Sequence, residues 1–338
     1  MRQTNSQRGL LLSRPPATGG PRIPRPQPLI ILLGPTASGK SDVGIHLARH
    51  VGGEIINADA FQVYQGLDIG TGKVTAALRN EIPHHLLDIV PPHAQFTAGE
   101  FGKRARSIAG EISRRGRTPI LVGGTGFYIR SFLKGLADIP PVPAHLRGAI
   151  TALGEKNGWN RLYRWLEVLD SPYAASISPS DRQRIERALE VTLHTGHPLS
   201  SYFREESTSA DQIPSIKIGI TMERSLLAER IRQRVRSMVR SGWLDEVRTL
   251  LIKGCTGEEP AFKAIGYREI FEVLQGRQDL EGAIETIASI TIKYAKRQMT
   301  WFRKESHVTW FDGRDIEVAK VQILEYYKGR TRSTRALK

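Results

Sequence analysis

The stretch GPTASGKS, residues 34–41, sets two glycines, three hydroxyls and a lysine in the pattern G-x-x-x-x-G-K-S/T. An apolar run, Leu29-Ile30-Ile31-Leu32-Leu33, precedes it, so the pattern reads as a strand, a glycine-rich loop and the start of a helix. Backbone N–H groups of such a loop can surround a phosphate chain, and Lys40 can reach its outer charges. Gly34, Pro35, Thr36, Ala37, Ser38, Gly39, Lys40 and Ser41 are therefore the candidate phosphate-binding residues. Ser41 holds the usual Mg²⁺-ligand position, and ATP is the default occupant.

Asp59 is a second candidate, in NADAFQVYQGLDIGTGK. A carboxylate where a strand ends, facing that loop, can take a proton from a nucleophile beside the bound phosphates. A turn or helix cap uses the same residue type. Gln62, Asp68, Gly70, Thr71, Gly72 and Lys73 then form a polar, glycine-bearing loop suited to a binding rim. A P-loop hydrolase usually adds an apolar strand ending in Asp to hold Mg²⁺. Here the run 119–122 ends in Gly123, and Leu86-Leu87-Asp88 is the weaker substitute. His84-His85 invites a metal reading, but neighbours on an extended segment face opposite sides and no second cluster accompanies them. Packing is the expected role.

These residues need a frame. The run 29–33 predicts a buried parallel strand, followed by a helix from Lys40 with Val43, Leu47 and Ala48 inward. Further strands are expected at 54–58, at 119–122 before Gly123-Gly124-Thr125-Gly126, and at 216–220. Strands alternating with helices predict an α/β, doubly wound parallel sheet, with ligands beyond the C-terminal strand ends. The proline-rich stretch 139–143 reads as a linker into a helical block ending at Gly196. Within it, Ser178-Pro179-Ser180-Asp181 predicts a helix start with Ser178 as cap. The expected division is a disordered basic arm (1–26), a P-loop NTPase-like core (27–140 and 200–315), an inserted helical lobe (141–199) and a C-terminal helix or tail (316–338) with a frayed basic end.

The 338 residues carry one cysteine, no membrane-length apolar run and a net charge of +15. An internal disulfide and a cysteine-based zinc cluster are excluded, and a reducing cytoplasm is the expected compartment. Such a charge suits a polyanion, nucleic acid or an anionic membrane surface, or simply solubility. Its placement favours nucleic acid. Arg182-Gln183-Arg184-Ile185-Glu186-Arg187 lies on the lobe, and Arg224, Arg230, Arg232, Arg234, Arg236 and Arg240 crowd one later helix above the apolar stripe Leu227, Ile231, Val235, Met238. The segment 293–304 interleaves cations with aromatics, a mix suited to phosphate contacts and base stacking.

Seven stretches occur in order: GPTASGKS, NADAFQVYQGLDIGTGK, PHHLLDI, ILVGGTGFYI, RQRIERALEV, FKAIGYREI and YAKRQMTWFRK. Across about residues 29–312 the chain closely resembles the tRNA isopentenyltransferase family, the tRNA dimethylallyltransferases. The resemblance implies transfer of a dimethylallyl group from its diphosphate to N6 of the adenosine 3′-adjacent to the anticodon, with Mg²⁺. The loop occupant would then be an isoprenoid diphosphate. Asp59 matches the family's proposed base, Thr36 its catalytic threonine, and Arg224 resembles its diphosphate-binding arginine; Lys40 completes the catalytic set. The tRNA contacts carried over are Asp59, Ala60, Phe61, Gln62, Thr125, Arg147, Gln183, Arg184, Ile185, Glu186, Arg187, Lys263, Gly266, Tyr267, Arg268, Lys296, Arg297 and Arg303. Members usually have Ser where this chain has Ala60. The single Cys and short tail exclude the zinc finger of eukaryotic members, so a bacterial type is expected, as a cytoplasmic monomer without membrane contact. A P-loop kinase of a small hydroxylated metabolite is the alternative, and a non-catalytic RNA-binding protein the third reading.

Overall fold

A five-residue run with no polar side chain, Leu29–Leu33, can be satisfied only between two covering layers. The computed structural model, which describes residues 28–137, 139–203 and 213–336, places it there as β1. The other strands are β2 Gly53–Ala58, β3 His84–His85, β4 Thr118–Gly123, β5 Ser215–Thr221 and β6 Val308–Asp312. They form one sheet, ordered β3-β2-β4-β1-β5-β6, with every pairing parallel.

Side-chain alternation along β1 divides the core. Ile30 and Leu32 join Val43 and Leu47 of α1 (Lys40–Val51) and Ala319 and Ile323 of α13 (Ile316–Ala336). Leu29, Ile31 and Leu33 face the other way, toward Phe101 of α3 (Ala98–Arg114), Phe132 of α4 (Gly126–Lys134) and Phe302 of α12 (Leu280–Phe302). A third cluster joins α9 (Arg224–Arg240), α10 (Trp243–Ile252), α11 (Tyr267–Leu274) and α12 to the segment after β2. Between α4 and β5 the helices α5 (Ala144–Asn157), α6 (Trp159–Leu169), α7 (Ser171–Ala175) and α8 (Arg182–Thr195) bury a cluster of their own. The elements α2 (Ala76–Glu81) and β3 lie between β2 and α3.

Three details depart from the sequence expectation. Helix α8 starts at Arg182, because Asp181 Oδ1 accepts the Arg184 amide at 3.2 Å and so outcompetes Ser178 as cap. The C-terminal helix continues to Ala336 rather than fraying from 328, since Ala319, Ile323, Leu324 and Tyr327 pack in the core. Strand β6, half-exposed, adds to the edge of β5 after a region read as helical. The arm at 1–26 lies outside the described residues. Among the described residues no helix is long and apolar enough to cross a membrane.

Candidate functional site

The loop after β1 builds an anion cradle from its backbone. Ala37 has φ 63° and Gly39 has φ 88°, left-handed conformations that turn successive N–H groups toward one concavity. Gly39 is also required for close approach: a Cβ there would lie 2.4 Å from Ile316 Cδ1 at the start of α13. The C-terminal helix thus seats the loop. Ser38 Oγ is buried and, among the described residues, has no hydrogen-bond partner, which suits a polar ligand atom. Lys40 Nζ donates to the Pro35 carbonyl at 2.5 Å. Burial, helped by the nearby Arg234 charge and opposed by Asp59, lowers its pKa to about 7.

Strand β2 delivers Asp59 to the same end of the sheet. Its Oδ1 accepts the amides of Phe61 at 2.9 Å and Gln62 at 3.4 Å. The carboxylate therefore makes a turn and still retains Oδ2 for a proton. At the end of β4, Thr125 Oγ1 accepts the Ala60 amide at 3.1 Å. Tyr294 on α12 hydrogen-bonds with Thr125 and Gln298; burial first, then the Asp59 charge, push its phenol up to about 12. Gln298 joins the two loops: Oε1 accepts the Thr36 amide at 2.8 Å, and Nε2 donates to the Gly124 carbonyl at 2.9 Å. Three strand ends and α12 therefore converge on one crevice.

The cation facing this crevice is Arg234. It is partly buried, and its guanidinium occupies the space where a Cβ on Gly72 would fall, 2.1 Å away. Burial lowers its pKa while Asp59 and Asp42 pull it back up. Arg224 is exposed in the first turn of α9. Ten residues separate the two, about 15 Å along the helix at 1.5 Å per residue. Arg224, the arginine expected to bind diphosphate, thus lies on the same helix as Arg234 but nearly three turns from the one at the crevice.

Ser41 is exposed in the first turn of α1. No group of three or more His, Cys, Asp or Glu among the described residues could hold a metal ion. Ser41 could therefore hold a Mg²⁺ ion only together with oxygen donors of a bound ligand, as Mg²⁺ sites with few protein ligands do. Asp88 is not its partner. Lys73 and Arg79 each lie 2.5 Å from it; against the upward push of burial, their hydrogen bonds hold the carboxyl below its ordinary range. His85 Nε2 pairs with Glu54 Oε2 at 2.7 Å and His84 Nδ1 with the Ile82 carbonyl at 2.7 Å, so both histidines serve packing.

The RNA candidates divide by exposure. On the lobe Gln183, Arg184 and Arg187 reach the surface region, and Arg187 and Arg147 share the buried Glu190 at 3.3 and 2.5 Å. Glu186 accepts a hydrogen bond from Thr151. Ile185 is fully buried in the lobe core and cannot present its side chain to RNA. Gly266 and Tyr267 are likewise buried, and the Tyr267 hydroxyl donates to Glu246 Oε1 at 2.6 Å. Lys263 and Arg268 remain exposed, with Arg268 3.5 Å from Glu258. Lys293, Lys296, Arg297, Thr300 and Trp301 of α12, with Lys304 just beyond it, line a cavity of about 490 Å³, and Arg303 is exposed at the helix end. Ala60, Phe61 and Gln62 are half-buried at the crevice, where Gln62 Nε2 donates to the Thr71 carbonyl at 3.0 Å.

The fold and site define a P-loop α/β protein whose phosphate cradle shares one crevice with the Asp59 carboxylate and the Arg234 guanidinium. Residues 62–305 match the family model for IPP transferase, and residues 27–84 match one for isopentenyl transferase. The chain belongs to the IPP transferase family of prenyltransferase enzymes. It is 44% identical to a tRNA dimethylallyltransferase of Geobacter metallireducens, over 84% of this chain and 92% of that protein. To tRNA dimethylallyltransferase 1 of Citrifermentans bemidjiense it is 45% identical over the same shares, 84% and 92%. A solved tRNA isopentenylpyrophosphate transferase from Bacillus halodurans has a TM-score of 0.66 and 37% identity, covering 92% of this chain and 98% of that one. A eukaryotic dimethylallyltransferase solved acting on tRNA has a TM-score of 0.73 and 27% identity, covering 86% of this chain and 74% of that one.

Proposed function

We propose that this chain transfers the dimethylallyl group of dimethylallyl diphosphate to N6 of the adenosine 3′-adjacent to the anticodon in tRNA. The observation that carries this reading is the placement of Asp59 opposite Lys40 and Arg234, at the mouth of a cradle whose Ser38 hydroxyl awaits a partner. The names of the relatives support the transferred group and a tRNA acceptor.

The exocyclic amine of adenosine is a weak nucleophile, because its lone pair is delocalised into the ring. As the N–C bond forms, the allylic C–O bond breaks and diphosphate leaves with the bonding pair. Asp59 Oδ2 takes the N6 proton, which keeps the product amine neutral. Negative charge grows on the leaving group. The loop N–H groups, Lys40 and Arg234 offset it there without reorganising. Mg²⁺, held at Ser41, supplies further charge neutralisation of the diphosphate when bound. The Thr36 side chain, on the same loop, would donate its hydroxyl to the bridging oxygen as the allylic C–O bond breaks. The cavity on α12 and the exposed arginines of α8 hold the anticodon stem-loop by phosphate contacts and stacking. The protein works as a cytoplasmic monomer without membrane contact.

Incubation with labelled dimethylallyl diphosphate and an unmodified anticodon stem-loop tests the proposal. Label should enter the adenosine beside the anticodon, with release of diphosphate. Consumption of ATP with phosphorylation of a small hydroxylated metabolite, and no label in RNA, would support the kinase reading instead.

A further inference from the structure

Glu246 on α10 stands outside the phosphate cradle, yet it binds the backbone of an active-site loop as an anion would be bound. Its Oε2 accepts the amides of Asp68 at 2.7 Å and Ile69 at 2.6 Å, and its Oε1 accepts the amide of Gly70 at 3.2 Å. Three consecutive N–H groups aimed at one carboxylate form a nest. The fourth donor is the Tyr267 hydroxyl, 2.6 Å from Oε1. Burial, reinforced by the Glu246 charge, holds that phenol protonated and so available as a donor. The indole of Trp243, one helical turn before Glu246, backs the loop closely enough that a Cβ on Gly70 would fall 2.2 Å from Nε1.

The held loop is short and doubly closed, by Gly72 N to Ile69 O at 3.0 Å and Lys73 N to Asp68 O at 2.9 Å. At its far end the buried Lys73 reaches Asp68 at 2.9 Å and Asp88 at 2.5 Å. Its inner residues are the ones that matter chemically. Gly72 forms the wall against Arg234, and the Thr71 carbonyl holds the Gln62 side chain. Helix α9 carries Arg234 and the next helix carries Glu246, so one helical hairpin grips both sides of the loop.

We infer that Glu246 is a positioning residue for the transfer reaction, fixing the Asp68–Lys73 loop so that Arg234 and Gln62 are held against the donor and the target base. It touches neither substrate. Its carboxylate ties the loop to the hairpin, and the loop then limits where the Arg234 guanidinium can lie. Rate is sensitive to such placement: a shift of ~1 Å can cost roughly 10²-fold.

This inference rests on the prenyl-transfer reading, and the test separates the two. Glu246→Gln, Tyr267→Phe and, as a control, Asp245→Asn are compared with the parent chain in single-turnover transfer from dimethylallyl diphosphate to an anticodon stem-loop. Asp245 is exposed on the same helix and pairs with Arg248 at the surface. Glu246→Gln should slow transfer by roughly 10–10²-fold at saturating substrates, with stem-loop affinity unchanged, because only placement is lost. Tyr267→Phe should lose only a few-fold, and Asp245→Asn nothing. Amide hydrogen exchange of the 65–73 segment should rise in Glu246→Gln while the rest of the fold keeps its protection. If the parent transfers and Glu246→Gln matches it in rate with that segment still protected, the positioning role is wrong. If transfer falls in proportion to a global loss of protection, Glu246 is merely structural, which also overturns the inference. A parent chain that transfers nothing would instead remove the functional reading on which it rests.

Discussion

Gln298 and Thr36 lie 262 positions apart in the chain, yet the Gln298 carboxamide accepts the Thr36 amide at 2.8 Å. The same side chain donates to Gly124 at 2.9 Å. One buried amide thus locks the phosphate loop to the turn after β4 and uses both of its hydrogen-bonding ends. The loop N–H at Thr36 belongs to the protein, so the donor must be bound by the others.

Gln298→Ala leaves the Thr36 amide and the Gly124 carbonyl without a partner. An unmet buried group costs about 1–3 kcal/mol, so the unfolding free energy should fall by about that amount in urea titration. Donor affinity should weaken as well, because the loop is no longer tethered. Unchanged stability and donor affinity together would mean that the bridge does not order the loop.

Arg234→Gln and Arg224→Gln discriminate between the two ends of α9. Arg234 shares the crevice with Lys40 and Asp59, whereas Arg224 is exposed. Removing one charged contact to a leaving group costs roughly 10²–10³ in rate. That loss is expected for Arg234→Gln, measured by single-turnover transfer, with Arg224→Gln close to the parent. The reverse order would restore Arg224 as the diphosphate ligand.

Lys40 gives the site a pH dependence with a definite sign. Its pKa is about 7 in the free protein, down from 10.5, chiefly because it is buried. Below pH 7 the ammonium is already charged and meets the diphosphate without a proton change. Above pH 7 binding must first take up a proton, so affinity should fall with rising pH, by at most about tenfold per unit. Titration calorimetry with inorganic diphosphate at pH 8.5, in buffers of different ionisation heat, should show net proton uptake that Lys40→Met removes. No uptake in the parent would contradict the assignment.

The basic surfaces predict a salt signature. Neutralising Arg184 and Arg187 on α8, or Lys296 and Arg297 on α12, should weaken stem-loop binding. Each lost phosphate contact should lower the slope of log K against log salt by about 0.9 at most. Transfer rate at saturating RNA should hardly change. Binding isotherms at several salt concentrations check this; an unchanged slope in both double variants would take these helices out of the RNA interface.

The parts of the site legible in the sequence are the contiguous ones. The phosphate loop, the strand ending at Asp59 and the Gly-Gly-Thr turn are each written in a few adjacent residues, and the structure brings them to one end of the sheet. What was not legible acts across the chain. Arg224 and Arg234 stand at the same helical spacing from Leu227 and Ile231, so the apolar stripe cannot say which turn meets the loop. Gln298 and Tyr294 share one face of α12 at i, i+4 spacing amid cations that dominate the local reading. Tyr267 looks like a member of a contact segment, but the packing of the α9–α11 cluster takes it inside. Burial, unlike a motif, is decided by partners distant in sequence.

In the proposed reaction Asp59 is the base for an RNA amine attacking an allylic diphosphate held by the loop. Single-turnover transfer of labelled dimethylallyl to an anticodon stem-loop, for the parent and Asp59→Asn, tests it most directly. Label is expected at N6 of the adenosine 3′ to the anticodon, with a rate loss of roughly 10²–10⁴-fold in Asp59→Asn and donor affinity little changed. Transfer by Asp59→Asn within a few-fold of the parent would contradict it.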